Sequence, residues 1–386
     1  MSDLLAISGA RIFDSRDWHD DAALLIEFGY ISGIARASDI PTNAEPVRLD
    51  GGMIVPGFID LQVNGGGGVL LNNDPSIDGI RTICAAHAQF GTTGLLPTLI
   101  TDTVEVNEAA IAAGKAAAQA HVPGFLGLHL EGPHLAISRK GTHDPALIRA
   151  MTDADLARLK SAATDLPNLL CTVAAETVSA QQIEELVKAG AVVSLGHSDA
   201  SYNEAIAAFD AGATMATHLF NAMSQIGNRE PGLVGAVLDR PDIFAGLIAD
   251  GIHVHVGSIG IALRGKRGDG RIFLVTDAMS QTGTDIQTLT LNGRTITRSD
   301  GALRLADGTL AGADLDMIDA VNFMIDTIGL DPGEALRMAS LYPAESMNIA
   351  DAHGTLLKGA VGSFVHLSEE RSIRSTWING VKAFQA

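Results

Sequence analysis

Apolar and polar positions follow two different rhythms along this chain. Up to about residue 55 the apolar positions form short period-two patches, LLAISGARIFD, AALLIEFGYISGIA and PVRLDGGMIVPG, each cut off by Gly, Asp or Pro. Such patches predict short strands. From Phe58 onward, short continuous apolar runs are followed by Ala-rich stretches of helical length, the pattern of repeated strand–helix units. The runs FIDLQVNG, GLLPTLI, GFLGLHLEG, LLCTVAAE, AVVSLGHS, ATMATHLF, FAGLIADG and RIFLVTDA make eight buried strands. Eight parallel-type strands alternating with helices in about 300 residues fit a (β/α)8 barrel of the TIM type better than an open sheet.

The expected fold class is therefore α/β, with the barrel spanning 57–354. The closing segment SFVHLSEERSIRSTWINGVKAF reads as strands again, so residues 1–56 and 355–386 are expected to combine into one small β-sandwich domain. Between about Asp285 and Leu310, alternating β-type residues and Asn-Gly or Asp-Gly turns interrupt the rhythm. That predicts a hairpin insertion near the site.

Charge narrows the partners. Among 386 residues, 45 Asp and Glu stand against 26 Lys and Arg, a formal balance of −19. A nucleic acid or an anionic bilayer would be repelled. No run approaches the roughly 18 apolar residues of a membrane-spanning helix. The start MSDLLAISGARIFD carries Asp3 and lacks a basic stretch before a long apolar run, so it reads as no secretory signal and the expected address is the cytoplasm. Cys84 and Cys171 have no Cys or His at zinc-finger spacing and are expected to be buried.

Gln62, Asn64, Glu131, His197, His218 and Asp277 all fall at or just beyond the ends of predicted strands, where barrel loops build active sites. A carboxylate with two imidazoles, Glu131 with His197 and His218, is a three-ligand set that catalytic zinc accepts, leaving a fourth position for water. Asp277 ends LVTDAM and has two readings. It can face a metal as the group that takes and returns a proton, or it can cap a helix.

The segments PGFIDLQVNGGGG, GLHLEGP, KGTHDP, SLGHSDA, THLFNAM and LVTDAM occur in this order. Through them the chain resembles the N-acetylglucosamine-6-phosphate deacetylases of the amidohydrolase superfamily over essentially its whole length. GGMIVPGFID and INGVKAF belong to the wider superfamily, whereas HLEGP, KGTH and THLFNAM are specific to these deacetylases. The resemblance implies that Glu131, His197 and His218 are metal ligands and that Asp277 is the general base and then acid. It implies substrate contacts at His143 and His253, a phosphate subsite at Asn221 and Ala222, and a homodimer in which Arg229 reaches the neighbouring subunit's site. The implied reaction converts N-acetyl-D-glucosamine 6-phosphate to D-glucosamine 6-phosphate and acetate. One divalent metal per subunit is expected, zinc first, with iron or cobalt also compatible.

Many superfamily members carry His-x-His where this chain has Gln62 and Asn64. Neutral amides are poor zinc ligands, so a second metal position is not expected. His134, directly after HLEGP, stands where a larger apolar residue is expected and receives no role; His87 and His366 read as structural. Two competing functions are an amidohydrolase for another N-acyl compound and a catalytically silent sugar-phosphate sensor. The specific segments and the complete ligand set weigh against both.

Overall fold

A computed structural model describes residues 4–386; residues 1–3, with the Asp3 weighed against a secretory signal, lie outside it. Eight parallel strands form one sheet in sequential order: β1 (Phe58–Val63), β2 (Thr92–Ile100), β3 (Leu128–Glu131), β4 (Leu169–Val173), β5 (Val192–Leu195), β6 (Met215–Ala216), β7 (Phe244–Leu247) and β8 (Ile272–Leu274). These are the eight runs read from the sequence. They are continuously apolar because barrel strands are covered on both faces, and side chains such as Phe58, Leu130, Val193 and Phe273 are at most 1% exposed.

The connecting helices are α1 (Ile77–Ala88), α2 (Val104–Gln119), α3 (Asp153–Asp165), α4 (Ala180–Lys188), α5 (Tyr202–Asp210), α6 (Gly232–Asp239) and α7 (Val256–Gly265), with α8 (Met317–Asp326) following the last strand. Their starts are written locally. Thr152 with Asp155, Ser179 with Gln182 and Ser201 with Glu204 form reciprocal capping boxes, each satisfying two backbone N–H groups that would otherwise lack partners.

The barrel closes through a seam rather than a full ladder. Between β8 and β1 there is one parallel bridge, Val63 with Ala278, reinforced by Asp277 N–H donating to the Gln62 carbonyl at 3.0 Å. Asp60, wholly buried in β1, accepts the Thr276 hydroxyl at 2.5 Å and the backbone N–H groups of Gln62 and Thr276 at 3.2 and 3.3 Å. A carboxyl group is thus fixed inside an apolar strand at the point where the cylinder is stitched shut.

The N-terminal segment builds one further sheet alone and a second together with the C-terminal segment. Strands 4–8, 22–27, 30–36 and 45–48 form a four-stranded sheet, and 11–13, 18–19 and 53–56 join 364–367, 373–378 and 381–385 in a six-stranded one. Ile7, Leu24, Ile54, Phe364 and Trp377 share one core cluster. Residues 53–56 run directly into β1 through Gly57, where an added Cβ would lie 2.0 Å from the Thr93 hydroxyl.

The interrupting segment is a four-stranded antiparallel meander of Thr288–Leu291, Arg294–Ser299, Ala302–Leu305 and Leu310–Ala313, longer than one hairpin. Asn292-Gly293 and Asp300-Gly301 both have positive φ at each residue, the backbone that two-residue hairpin loops require; a further Asp-Gly pair, Asp307-Gly308, turns the chain once more. The meander buries Leu291, Ile296 and Leu303 against Ile100 and Met279, and Ala313 N–H donates to the Asp277 carbonyl at 2.9 Å. It is therefore registered on the strand end that carries Asp277. Among the described residues no helix is long and apolar enough to cross a membrane. Cys84 and Cys171 are free and buried, and burial pushes both thiols up to about 12. His87 and His366 bond the carbonyls of Gly65 and Gly51 at 2.8 Å.

Candidate metal centre and catalytic cavity

Glu131 is the last residue of β3, and His197, His218 and Asp277 lie within three residues of the ends of β5, β6 and β8. The latter three have φ of +47°, +33° and +51°. This left-handed backbone costs a non-glycine residue roughly 1–2 kcal/mol and turns each side chain out of its strand direction. Hydrogen bonds across the barrel rim hold the strain, such as Leu219 N–H to Gly246 O at 2.7 Å and Ala136 N–H to His197 O at 2.9 Å. Strain of this kind collects at functional sites.

The turned side chains converge. Glu131 Oε1 lies 3.1 Å from His218 Nε2 and 3.2 Å from His197 Nε2, and the two imidazole nitrogens are 3.0 Å apart. All three residues are at most 5% exposed. His197 Nδ1 lies 2.8 Å from the Arg139 carbonyl, which can only accept, so Nδ1 donates to it and Nε2 is the atom turned toward the cluster. Two imidazole nitrogens and a carboxylate gathered this closely in a buried pocket must share protons or a cation among them. Tetrahedral zinc with bonds of about 2.0–2.1 Å places its ligand atoms about 3.3 Å apart, and the observed triangle fits that spacing closely.

His143 also reaches the cluster: Glu131, His143 and His197 each offer a ligand atom within 4.8 Å of one another. Its tautomer sets it apart. Thr101 N–H donates to His143 Nδ1, and burial, then the charge of His197, holds the ring well below the usual histidine range. The ring is therefore neutral with its proton on Nε2, the atom 4.0 Å from Glu131 Oε2. His143 is equipped to donate a hydrogen bond, whereas Glu131, His197 and His218 are equipped to hold a divalent cation.

Asp277 faces this cluster. Asn64 Nδ2 and Gln62 Nε2 both donate to its Oδ1, at 2.7 and 3.2 Å, and the Gln62 amide also reaches the Glu131 oxygens at 3.3 and 3.4 Å. No helix begins at Asp277, so the helix-cap reading falls away. Burial and then the charge of Glu131 push its carboxyl up to about 6. Burial also works to raise Glu131, but hydrogen bonds and charge from His197 and His218 hold it well below the usual carboxylate range.

Asn64, Glu131, His143, His197, His218 and Asp277 line a cavity of about 410 Å³ together with Asn221, Ala222 and His253. His253 is held by Asp250, its Nδ1 2.6 Å from Oδ2; the cap of α7 is His255. Arg229 is exposed and does not line the cavity of its own chain. His134 donates from Nδ1 to the Arg149 carbonyl at 3.1 Å and lines a separate small depression. The sequence reading missed Thr101 and Asp250, which hold His143 and His253, and the meander residues Arg304 and Leu310, which line the cavity. Only Asp250 had a local signal, an Asp-Gly pair at a strand end three residues before His253.

A model of the amidohydrolase family matches residues 53–382. The chain belongs to this family. Among its relatives, the N-acetylgalactosamine-6-phosphate deacetylase of Shewanella sp. (strain ANA-3) is 38% identical, with 99% of this chain and 97% of that protein covered. The crystal structure of N-acetylglucosamine-6-phosphate deacetylase from Pasteurella multocida superposes with a TM-score of 0.94 at 36% identity, covering 98% of this chain and 99% of that one. A mutant of the Mycobacterium smegmatis deacetylase, solved in complex with N-acetyl-D-glucosamine-6-phosphate, superposes at 0.89 with 28% identity over 99% of both chains. This amidohydrolase is thus of the N-acetylhexosamine-6-phosphate deacetylase type, and its relatives divide between two epimeric substrates.

Proposed function

We propose that this amidohydrolase hydrolyses the acetamide of N-acetyl-D-glucosamine 6-phosphate, giving D-glucosamine 6-phosphate and acetate. The observation that carries the reading is the buried triangle of Glu131, His197 and His218 facing Asp277 across one cavity. A divalent cation held by the triangle, zinc by the donor set, would supply Lewis acidity toward the amide carbonyl and lower the pKa of water.

The chain's own groups do the rest. Asp277 accepts the proton of the attacking water at Oδ2, since Oδ1 is taken by Asn64 and Gln62. Water oxygen bonds to the acetyl carbon, and His143 Nε2–H donates to the oxygen on which charge develops. Asp277 then delivers the same proton to the sugar nitrogen as the C–N bond breaks. Its raised pKa suits both halves of the exchange. Asn221 and Ala222 would receive the phosphate, His253 the sugar, and Arg229 would reach the site of a partner in a homodimer.

The galactosamine epimer is the second reading, favoured by the Shewanella relative at 38% identity. Acetate release from both hexosamine 6-phosphates and their phosphate-free sugars, with metal measured on the same sample, tests the proposal. Turnover of a 6-phosphate ester in preference to its free sugar supports it, and faster turnover of the galacto epimer would shift the substrate to the second reading.

A further inference from the structure

The catalytic cavity is walled by the carboxylates of Glu131 and Asp277 in a chain whose formal charge is −19, yet the proposed substrate is a phosphate dianion. Asn221 and Ala222 offer it only neutral donors, and His253 is already engaged by Asp250 at 2.6 Å. Among the described residues, Arg304 is the one lysine or arginine that lines the cavity.

Arg304 is also uncommitted. Its neighbours on the meander are tied down: Arg298 pairs with Asp314 at 2.7 Å, and Arg294 donates to the Thr142 carbonyl, docking the meander on the loop that carries His143. By contrast, Arg304 has no carboxylate partner among the described residues, and its hydrogen bond is from Nη1 to the Gly308 carbonyl at 3.1 Å. A guanidinium has five N–H donors in a fork matched to phosphate, so most of this one's capacity is free. Its position is set by the fold. Arg304 lies opposite Leu310 in the antiparallel pair formed with Leu310–Ala313, the strand bridged at Ala313 to Ala278, next to Asp277.

We infer that Arg304 is a phosphate-recognition residue supplied by each chain to its own site. The inference rests on the sugar-phosphate reading above and adds to it a residue in cis. The meander is then part of substrate selection, since it closes one side of the cavity and brings the positive charge that the barrel loops lack.

The test is the preference for phosphorylated over phosphate-free substrate, read as the ratio of kcat/KM for N-acetylglucosamine 6-phosphate and N-acetylglucosamine. Arg304→Gln keeps a donor for the Gly308 carbonyl and removes only the charge; Arg304→Lys keeps the charge without the fork. One charge-assisted contact at an exposed position predicts a loss of preference of about tenfold for Arg304→Gln and a smaller loss for Arg304→Lys. A Gln variant that keeps the wild-type preference, or that slows both substrates equally, overturns the assignment and makes Arg304 a support of the meander. Wild-type enzyme that releases acetate from neither hexosamine 6-phosphate would overturn the substrate reading itself, and the role of Arg304 with it.

Discussion

Asp277→Asn separates the proton-transfer role of this carboxylate from its place in the structure. Both amide donors converge on Oδ1, so an asparagine can set its carbonyl oxygen there and keep both hydrogen bonds. Its amide nitrogen then occupies the Oδ2 position, where it can neither take nor return a proton. General acid–base groups contribute about 10²–10⁴-fold, and one group acting in both directions belongs in the upper part of that range. The expected loss in kcat is about 10³-fold, equivalent to about 4 kcal/mol of barrel-borne transition-state stabilisation. The Glu131–His197–His218 triangle is untouched, so metal content should stay at the wild-type level. Stability should move the other way. A carboxyl pushed up to about 6 by burial and by Glu131 is ionised at pH 7.5 at a cost of up to about 3 kcal/mol relative to its unfolded pKa. Metal-free Asp277→Asn should therefore melt above metal-free wild type. The base must be ionised to act, so wild-type kcat/KM should fall on the acid side as Asp277 takes up a proton, and the residual rate of the variant should lack that limb. Acetate release, elemental analysis and thermal melts on the same preparations decide the matter. Turnover within tenfold of wild type at full metal content would refute the proton-shuttle assignment.

Three further outcomes are expected. Freshly purified protein should hold one tightly bound metal per chain, because Gln62 and Asn64 are neutral amides and poor zinc ligands; His197→Ala should lose that metal and with it activity, whereas two metals by elemental analysis would contradict the amide argument. Arg229→Ala and Asp277→Asn, each inactive alone, should recover up to about half of wild-type activity per heterodimer when co-refolded, since a two-fold interface leaves one intact site; no recovery in proven heterodimers would place Arg229 elsewhere. Asp60, pushed up to about 7 chiefly by burial, keeps a proton that the unfolded chain releases near pH 4, so its contribution to stability is fully present at low pH and declines up to about pH 7. Asp60→Asn should gain on wild type between pH 5 and pH 7 by up to about 2 kcal/mol in unfolding free energy, and a constant difference would show that Asp60 is ionised in the native seam.

The barrel was legible because its strands are covered on both faces and therefore read as unbroken apolar runs, each followed by an Ala-rich stretch of helical length. The triangle was legible for a related reason. Glu131, His197 and His218 are polar residues that end apolar strands, and a parallel barrel collects strand ends at one face. What stayed hidden depends on partners far away in sequence. Asp60 sits within FIDLQV without a local sign that Thr276 will hold it. Likewise, His143 cannot be distinguished from a metal ligand until Thr101 fixes its tautomer. The meander outgrew one hairpin because its last strand docks on Ala278 through Ala313, a partner that the Asp-Gly pair of its third turn does not reveal.

Gln62 and Asn64 show how a pattern visible in the sequence acquires its meaning only in the fold. Two residues apart at the end of β1, they point to the same face, and that face is the mouth of the barrel. There the Gln62 amide lies between two carboxylates that differ in character: Glu131 is held low by two imidazoles, and Asp277 is pushed up by burial and by Glu131 itself. Two acids whose environments drive their pKa values apart take different roles, one a permanent anion suited to a cation and the other a carboxyl able to exchange a proton. A neutral amide can donate to both, and the hydrogen bond from Asn64 lowers Asp277 only against the larger effects of burial and Glu131, whereas a second cation in its place would pull Asp277 down further and weaken it as a base. On the proposed mechanism the two amides therefore do more than leave room for a single metal: by holding Oδ1 they orient Asp277 as the group that would move one proton twice.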